Sequence, residues 1–290
     1  MSELKKPFLR KSHYKSNIIT VIVLAVFVLA VYGFQALVKP EFGPTSLIIT
    51  GIIIAIIPAI LWLVFFYRQD VLEPEPKGMV LQVFVLGGLV AAAVGIPVIN
   101  AFNLPSWLYN NIWTTIFGSI LVVGFTQEFL KYAAVRFSVF SSNEFDERVD
   151  GIIYSTAAGL GFATAMNISF IVESGGVDLT MAAIRVVLVA LAQASFAGVT
   201  GYFMGRDKLE NRPAWWMPLG VTIAAVLNGV FYYLWGTLKR PSFSAGGAYI
   251  NPWTGLILAA VLAVAIMAVL TWLIDRDQQR TLKMLENKEA

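Results

Sequence analysis

The sequence predicts a single all-α integral membrane domain over residues 1–290, and two observations support this prediction. The first is composition, because 58% of the 290 residues are hydrophobic and only 13% are charged, about half the charged fraction of a soluble domain. The second is the grouping of apolar residues into runs of about 20, the helical length that crosses a bilayer core. A soluble globular fold is therefore excluded.

Eight apolar runs are long enough to cross a membrane. They lie at about 17–38, 45–67, 78–102, 107–140, 151–172, 181–204, 214–236 and 252–274. The first run follows a basic segment but is too long for a signal-peptide core, so we interpret it as a retained anchor. Residues 1–16 and 275–290 are then predicted to be cytoplasmic tails.

Lysine and arginine fall unevenly on the two sides that eight crossings would create. With the N-terminus inside, sixteen lie in inner segments, and only Lys39, Lys239 and Arg240 lie in outer loops. Because cytoplasmic segments carry the excess of Lys and Arg, both termini are predicted to be cytoplasmic. The net charge of +3 then suits a surface beside anionic lipid and requires no nucleic acid partner.

The sequence offers few side chains for metal or redox chemistry. It contains no cysteine, and its one histidine, His13, lies in the basic N-terminal segment. Disulfides, thiolate sites and histidine-ligated sites within the bundle are therefore excluded. We predict no metal and no cofactor.

Polar residues inside membrane spans are costly, so each one is a candidate functional residue. Glu128 and Lys131 are three residues apart in the fourth run, so they share a helix face and can form an ion pair. Gln193 and Asn228 add one amide each to the sixth and seventh runs, and Tyr232 follows Asn228 by one turn. The structural alternative is equally simple: buried amides often bond between helices, and a buried charge needs a partner whatever the function.

Two stripes of small residues permit close helix approach. One contains Ala157, Gly161 and Ala165, and the other continues from Gln193 through Ala197 and Gly201 to Gly205. We define them as the first and the second small-residue seam. Both are candidates for binding a helix of another protein, and the sequence does not show which of them is internal packing.

Several ordered motifs between about residues 60 and 240 resemble the PrsW family of intramembrane endopeptidases, within the CAAX prenyl-protease superfamily. They are Tyr67-Arg68-Gln69-Asp70, Glu73-Pro74-Glu75-Pro76, Phe84 to Gly88, Gln127-Glu128-x-x-Lys131, Asp150 to Tyr154, Gly159 to Ala163, and Gly201 to Gly205. No single motif is decisive, but their order and spacing together make the resemblance specific. It implies an intramembrane protease bundle with catalytic residues in the middle of the spans.

The chain departs from the family pattern in the fourth and fifth runs. The family's Glu-Glu-x-x-Lys becomes Gln127, Glu128 and Lys131, so the first acid is missing. The family's Phe-x-x-x-Glu has Met166 at the glutamate position, although Asn167 matches. Of the motif residues, the resemblance leaves Glu128 and Lys131 as candidate catalytic groups.

Three further positions change in the later runs. Gln193 stands at the family's histidine position, and Asn228 with Tyr232 replaces a His-x-x-x-Asp motif. Together with Gln127 and Met166, five expected groups are replaced by residues that do not titrate near neutral pH. Peptide hydrolysis needs an activated water and oxyanion donors, so these losses predict a degenerate active site.

The sequence therefore favours a PrsW-like pseudoprotease in a bacterial or archaeal cytoplasmic membrane. Its expected partners are the lipid bilayer and a transmembrane helix of another protein, which it would bind as an accessory or regulatory subunit. The alternative is an active endopeptidase that cleaves a membrane-anchored regulator such as an anti-sigma factor. A metal-free scheme stays open, with Glu128 as base and the amides of Gln193 and Asn228 as oxyanion donors.

Overall fold

The computed structural model describes residue 19 and residues 22–69, 73–102, 104–108, 110–175, 178–237 and 252–289. Within these ranges the ordered elements are helices. They are α1 Ile22–Val38, α2 Pro44–Tyr67, α3 Lys77–Val90, π1 Ala91–Gly95, α4 Ile96–Ala101, α5 Leu104–Trp107, α6 Ile112–Gly118, π2 Ser119–Gly124, α7 Phe125–Arg136, α8 Arg148–Glu173, α9 Leu179–Leu209, α10 Trp216–Thr237 and α11 Pro252–Glu289.

Six segments of the described chain are long and apolar enough to cross a membrane. They are Pro44–Tyr67, Lys77–Ala101, Ile112–Arg136, Arg148–Glu173, Ala182–Leu209 and Trp216–Leu234. They match the second to seventh predicted runs and confirm an all-helical membrane protein. The first run is described as the shorter apolar helix α1, and the eighth lies within α11. The count of eight and the cytoplasmic termini stay predictions, and residues 1–16 lie outside the described ranges.

Helix α8 lies at the centre of the bundle, with α9 on one side and α3 on the other. Both contacts bring backbones together. A Cβ added at Gly201 of α9 would lie 2.1 Å from the carbonyl oxygen of Gly151 in α8, and one at Gly161 of α8 would lie 1.8 Å from the carbonyl oxygen of Phe84 in α3. Only glycine fits where two helix backbones approach so closely.

Both small-residue seams are therefore internal. Gly161 of the first seam faces α3, whereas Gly201 and Gly205 of the second face α8. Ala157 and Ala197 are fully buried. The expectation that a seam offers a surface to another protein was wrong for these residues, because each seam is already occupied by a helix of the same chain.

Two of the spans contain a π-helical turn. π1 interrupts the span Lys77–Ala101, and π2 interrupts the span Ile112–Arg136. A π-helical turn inserts one extra residue and rotates the following helix, and such turns occur often at functional sites. π2 ends at Gly124, immediately before the helix that carries Gln127 and Glu128.

The connector between α2 and α3 lies at the end of the bundle where α11 also packs. Tyr67 donates a hydrogen bond from its hydroxyl to the carbonyl oxygen of Glu75, 3.1 Å away. Gln278 of α11 donates from its Nε2 to the carbonyl oxygen of Gln69 at 2.8 Å. A buried ion pair between Arg206 and Asp277, 2.8 Å apart, joins α9 to α11 beside it. These contacts define the connector end of the bundle.

Candidate functional site

Five of the predicted site residues meet between three helices in the interior of the bundle. They are Gln127, Glu128 and Lys131 of α7, Gln193 of α9 and Asn228 of α10. All five are buried, with at most 3% of their surface exposed. We refer to this set as the amide network. The structure therefore brings these five residues together, and their role stays a prediction.

The charged pair forms the centre of the amide network. Lys131 Nζ lies 2.5 Å from Glu128 Oε1 and donates a second hydrogen bond, of 2.7 Å, to Gln193 Oε1. Asn228 Nδ2 donates to the same Glu128 oxygen at 2.6 Å. One carboxylate oxygen thus accepts from both an ammonium and an amide, and such charge-assisted bonds are stronger than neutral ones.

The amides complete the network by bonding to one another. Gln127 Oε1 accepts from Gln193 Nε2 at 3.0 Å and from Asn228 Nδ2 at 2.9 Å. Gln193 Nε2 also approaches Asn228 Oδ1 at 3.3 Å. The side-chain amide nitrogens of Gln193 and Asn228 therefore both donate hydrogen bonds to oxygen atoms of the network itself.

One atom of the pair has no hydrogen-bond partner within the described chain. Glu128 Oε2 is buried and makes no such bond there. A buried carboxylate oxygen without a donor is costly, and a water molecule is the usual partner for such an atom.

Met166 and Tyr232 do not belong to the amide network. Met166 lies one turn beyond Phe162, whose ring is 5.8 Å from Lys131 Nζ, so an apolar wall borders the pair on the α8 side. Tyr232 packs against the apolar cluster of Leu104 and Val123.

Asn167 is buried, with 1% of its surface exposed. Neither its side-chain nitrogen nor its oxygen has a hydrogen-bond partner within the described chain. Asn167 lies on α8, and the amide network does not include it. Buried amides without partners commonly bind water in proteins.

The structure also contains a second cluster of polar side chains. Several of its members belong to the sequence motifs given above, but no role was predicted for them. Tyr154 of α8 donates a hydrogen bond to the carboxylate of Glu75 from the connector, and both residues are buried. Asp150 Oδ2 accepts from the backbone nitrogens of Asp146 and Glu147, at 2.8 and 2.6 Å, at the start of α8. We name Glu75, Glu147, Asp150 and Tyr154 the carboxylate cluster.

Burial raises the pKa of two carboxylates of this cluster. Desolvation raises the pKa of Glu75 above its usual value. Hydrogen bonds with Tyr154 and Asp150 lower this pKa in part, whereas the negative charges of Asp146 and Glu144 raise it further. Desolvation and neighbouring carboxylates raise the pKa of Glu147 to about 7. The sequence did not reveal this cluster because charges in a surface connector are ordinarily solvated.

The fold and the two polar groups define a polytopic helical membrane protein with an enclosed charged site between its spans. The family model described as PrsW family intramembrane metalloprotease matches residues 75–274. The chain belongs to the PrsW family. The resemblance stated from the motifs is thereby confirmed, and the matched region extends beyond the expected limit of residue 240.

Curated relatives agree with the family assignment. A protein named Protease PrsW from Geobacillus kaustophilus is 30% identical over 202 residues, which cover 65% of this chain and 73% of the relative. Proteins of the same name from Bacillus subtilis and Clostridioides difficile are 29% and 27% identical, over 64% and 63% of the chain and 82% and 77% of the relatives. No solved structure matches the chain significantly.

Because the family description names a metalloprotease, we examined the donor set of the amide network. In the described part of the chain, no three His, Cys, Asp or Glu side chains are grouped as metal ligands. Glu128 is the one carboxylate in the network, and the Lys131 ammonium lies 2.5 Å from it. Catalytic zinc sites use about three imidazole, thiolate or carboxylate ligands, and a fixed ammonium repels a cation. The residues of the network do not fit a metal ion.

Proposed function

We propose that this PrsW-family protein is a pseudoprotease of a prokaryotic cytoplasmic membrane. In this proposal it does not hydrolyse peptides and instead binds a transmembrane helix of a partner as an accessory or regulatory subunit. Family membership supports the fold and the membrane setting. The loss of catalysis rests on one observation, the direction of the hydrogen bonds in the amide network.

An oxyanion hole needs donors that point toward the position where negative charge develops during the reaction. In the amide network, the amide nitrogens of Gln193 and Asn228 point to oxygens of Gln127, Glu128 and Asn228. Lys131 donates to Glu128 and Gln193. The donors are therefore used to hold the helices together, which favours a structural role for the network over a catalytic one.

The partner would contact the outside of the bundle. Both small-residue seams are filled by helices of the chain itself, so they leave no room for another helix. Large apolar side chains such as Trp113, Phe117 and Leu121 are exposed on the outer face of the span Ile112–Arg136. Outer faces of this kind are available to lipid or to a partner helix, and association there depends on packing and occasional polar contacts.

Cleavage of a membrane-anchored reporter tests the loss of catalysis. The reporter carries a transmembrane helix and a tag, and it is incubated in liposomes with the wild-type chain or with Glu128→Gln. We expect no difference between the two proteins and no specific product. Specific cleavage by the wild-type chain would refute the pseudoprotease, and its loss in Glu128→Gln protein shown to be folded would establish the alternative, a PrsW-type endopeptidase.

Purification from native membranes tests the partner. A tagged chain is extracted in a mild detergent, and the co-purifying proteins are identified by mass spectrometry. We expect one membrane protein in stoichiometric amount, held by its transmembrane segment. A control with another polytopic protein of the same membrane removes general contaminants, and a chain that purifies alone at every detergent concentration would refute the accessory-subunit role.

A further inference from the structure

An apolar groove lies between α2 and α3 at the connector end of the bundle. Its volume is about 320 Å³, near the lower limit for sites that hold small molecules. Leu63, Val64, Val80 and Leu81 form its walls. Val64 and Leu81 are exposed, so the groove opens sideways toward the space that lipid tails occupy around a membrane protein.

Two cations stand at the polar end of this groove. Arg68 follows the last residue of α2, and Lys77 is the first residue of α3, so both lie where the spans leave the membrane. Both are exposed, and neither forms an ion pair with another described residue. The carboxylate of Glu75, in the same connector, accepts a hydrogen bond from Tyr154.

The combination of apolar walls and a cationic end matches one class of molecule. An anionic phospholipid has a negatively charged phosphate at the membrane surface and an acyl chain below it. We propose that the groove between α2 and α3 binds an anionic phospholipid, with its phosphate at Arg68 and Lys77 and an acyl chain against Leu63, Val64 and Leu81.

The bound lipid would stabilise the connector. Tyr67 lines the groove and donates a hydrogen bond to the carbonyl oxygen of Glu75. The phosphate would neutralise two cations that form no ion pair with another described residue, and the acyl chain would cover Val64 and Leu81. This site is separate from the amide network, so it does not depend on whether the protein is a protease.

Lipid titration of the full-length chain in neutral detergent tests the site. Thermal unfolding and native mass spectrometry are measured with phosphatidylglycerol and with phosphatidylcholine of identical acyl chains. We expect phosphatidylglycerol to raise the melting temperature and to stay bound as one lipid per chain, and phosphatidylcholine to bind at least tenfold more weakly. Arg68→Gln/Lys77→Gln should weaken phosphatidylglycerol binding by about tenfold or more, since each cation near an anionic lipid contributes roughly fivefold.

Two further variants separate this site from general surface attraction. Arg276→Gln/Arg280→Gln removes two exposed cations at the same end of the bundle and should change binding by less than about twofold. Val64→Trp keeps both charges but fills the groove, and it should weaken binding severalfold. Unfolding without lipid checks that each variant is folded.

Three outcomes would overturn the proposal. Equal losses in the Arg68/Lys77 and Arg276/Arg280 double variants would mean a nonspecific charged surface. Competition by soluble glycerol phosphate at similar concentration would mean an anion site without an acyl chain. Equal affinity for phosphatidylcholine would mean that the two cations do not recognise the headgroup.

Discussion

The amide network and the carboxylate cluster are both polar groups of the bundle, but they differ in the side chains that form them. The amide network has one carboxylate, Glu128, and otherwise contains amides and one lysine. The carboxylate cluster, at the connector end, retains Glu75, Asp150 and Glu147 and uses Tyr154 as a donor. The centre of the spans thus holds one carboxylate, whereas the connector end holds three, of which Glu147 has its pKa raised to about 7.

This difference separates the requirements of a fold from those of a reaction. An amide can replace an acid in a hydrogen-bond network, because it offers a similar shape with a donor and an acceptor. It cannot replace an acid that must gain or lose a proton. The amide network is what a bundle needs to hold three helices together, whereas the carboxylate cluster still contains groups whose charge can change.

The largest expected effect concerns the ion pair in the amide network. Glu128→Gln or Lys131→Met alone strands a buried charge, and each should lower the free energy of unfolding by about 3–5 kcal/mol. The double variant Glu128→Leu/Lys131→Met removes both charges and should recover most of that loss. Thermal and denaturant unfolding in detergent measure all three variants.

Matched changes at the protein surface show whether the effect is specific to burial. Arg148 and Glu210 form a partly exposed ion pair at 2.7 Å, so losing one partner there should cost less than about 1 kcal/mol. A double variant of Glu128 and Lys131 that is no more stable than the single variants would show that the network depends on the charges themselves.

The next effect concerns the helix contacts beside each polar group. Gly161→Ala places a methyl group against the backbone of Phe84, and Gly201→Ala places one against Gly151. Each should cost about 1–3 kcal/mol or prevent folding, because neither backbone can move away easily. Gly78→Ala is the control, since an added Cβ there meets no atom within 4 Å. If Gly201→Ala had normal stability but no longer bound the partner protein, the second small-residue seam would be a surface for the partner and not an internal contact.

The positions of the helices and the members of the amide network could be predicted from the sequence, because a polar side chain in an apolar span must find a polar partner. For that reason Gln193 pairs with Lys131, and Asn228 pairs with Glu128. Tyr232 lies one turn from Asn228 and packs against the apolar cluster of Leu104 and Val123. Which helix packs against a seam depends on the tertiary structure, and residue spacing alone does not predict it.

The carboxylate cluster could not be predicted for a different reason. Its members come from the connector, the loop before α8 and the first turns of α8, segments where charged residues normally face water. Only the fold shows that Glu75 is buried beside Tyr154. The absence of a metal cofactor and the identity of the partner stay predictions, because they concern molecules outside the chain.

Removing the hydroxyl of Tyr154 should have an intermediate effect. Tyr154→Phe leaves the buried Glu75 carboxylate without this donor, which should cost about 1–3 kcal/mol of unfolding free energy. Tyr202→Phe is the control, because that ring is half-buried and packs against Phe203, and it should change stability by less than about 0.5 kcal/mol. Equal effects of the two variants would mean that the bond between Tyr154 and Glu75 contributes nothing.

The smallest expected effect is a pH dependence of stability that originates in the carboxylate cluster. The pKa of Glu147 is raised to about 7 in the folded protein, from an ordinary value of 4.5. Between these two pH values the folded chain holds more protons than the unfolded chain, so stability falls as pH rises from about 4.5 to 7. Because Glu147 is only half-buried, solvent screening limits the change to about 1 kcal/mol or less.

Glu147→Gln tests this prediction, since the amide cannot titrate in that range. Its unfolding free energy should vary less between pH 5 and pH 7 than that of the wild-type chain, and the difference between the two proteins should be largest at pH 7, with the variant more stable. Glu128→Gln serves as a comparison in the amide network, because its effect comes from a stranded lysine and not from the Glu147 proton. A wild-type stability that rises from pH 5 to pH 7, and that Glu147→Gln flattens, would mean that Glu147 is stabilised in its charged form and that the carboxylate cluster is less desolvated than its burial indicates.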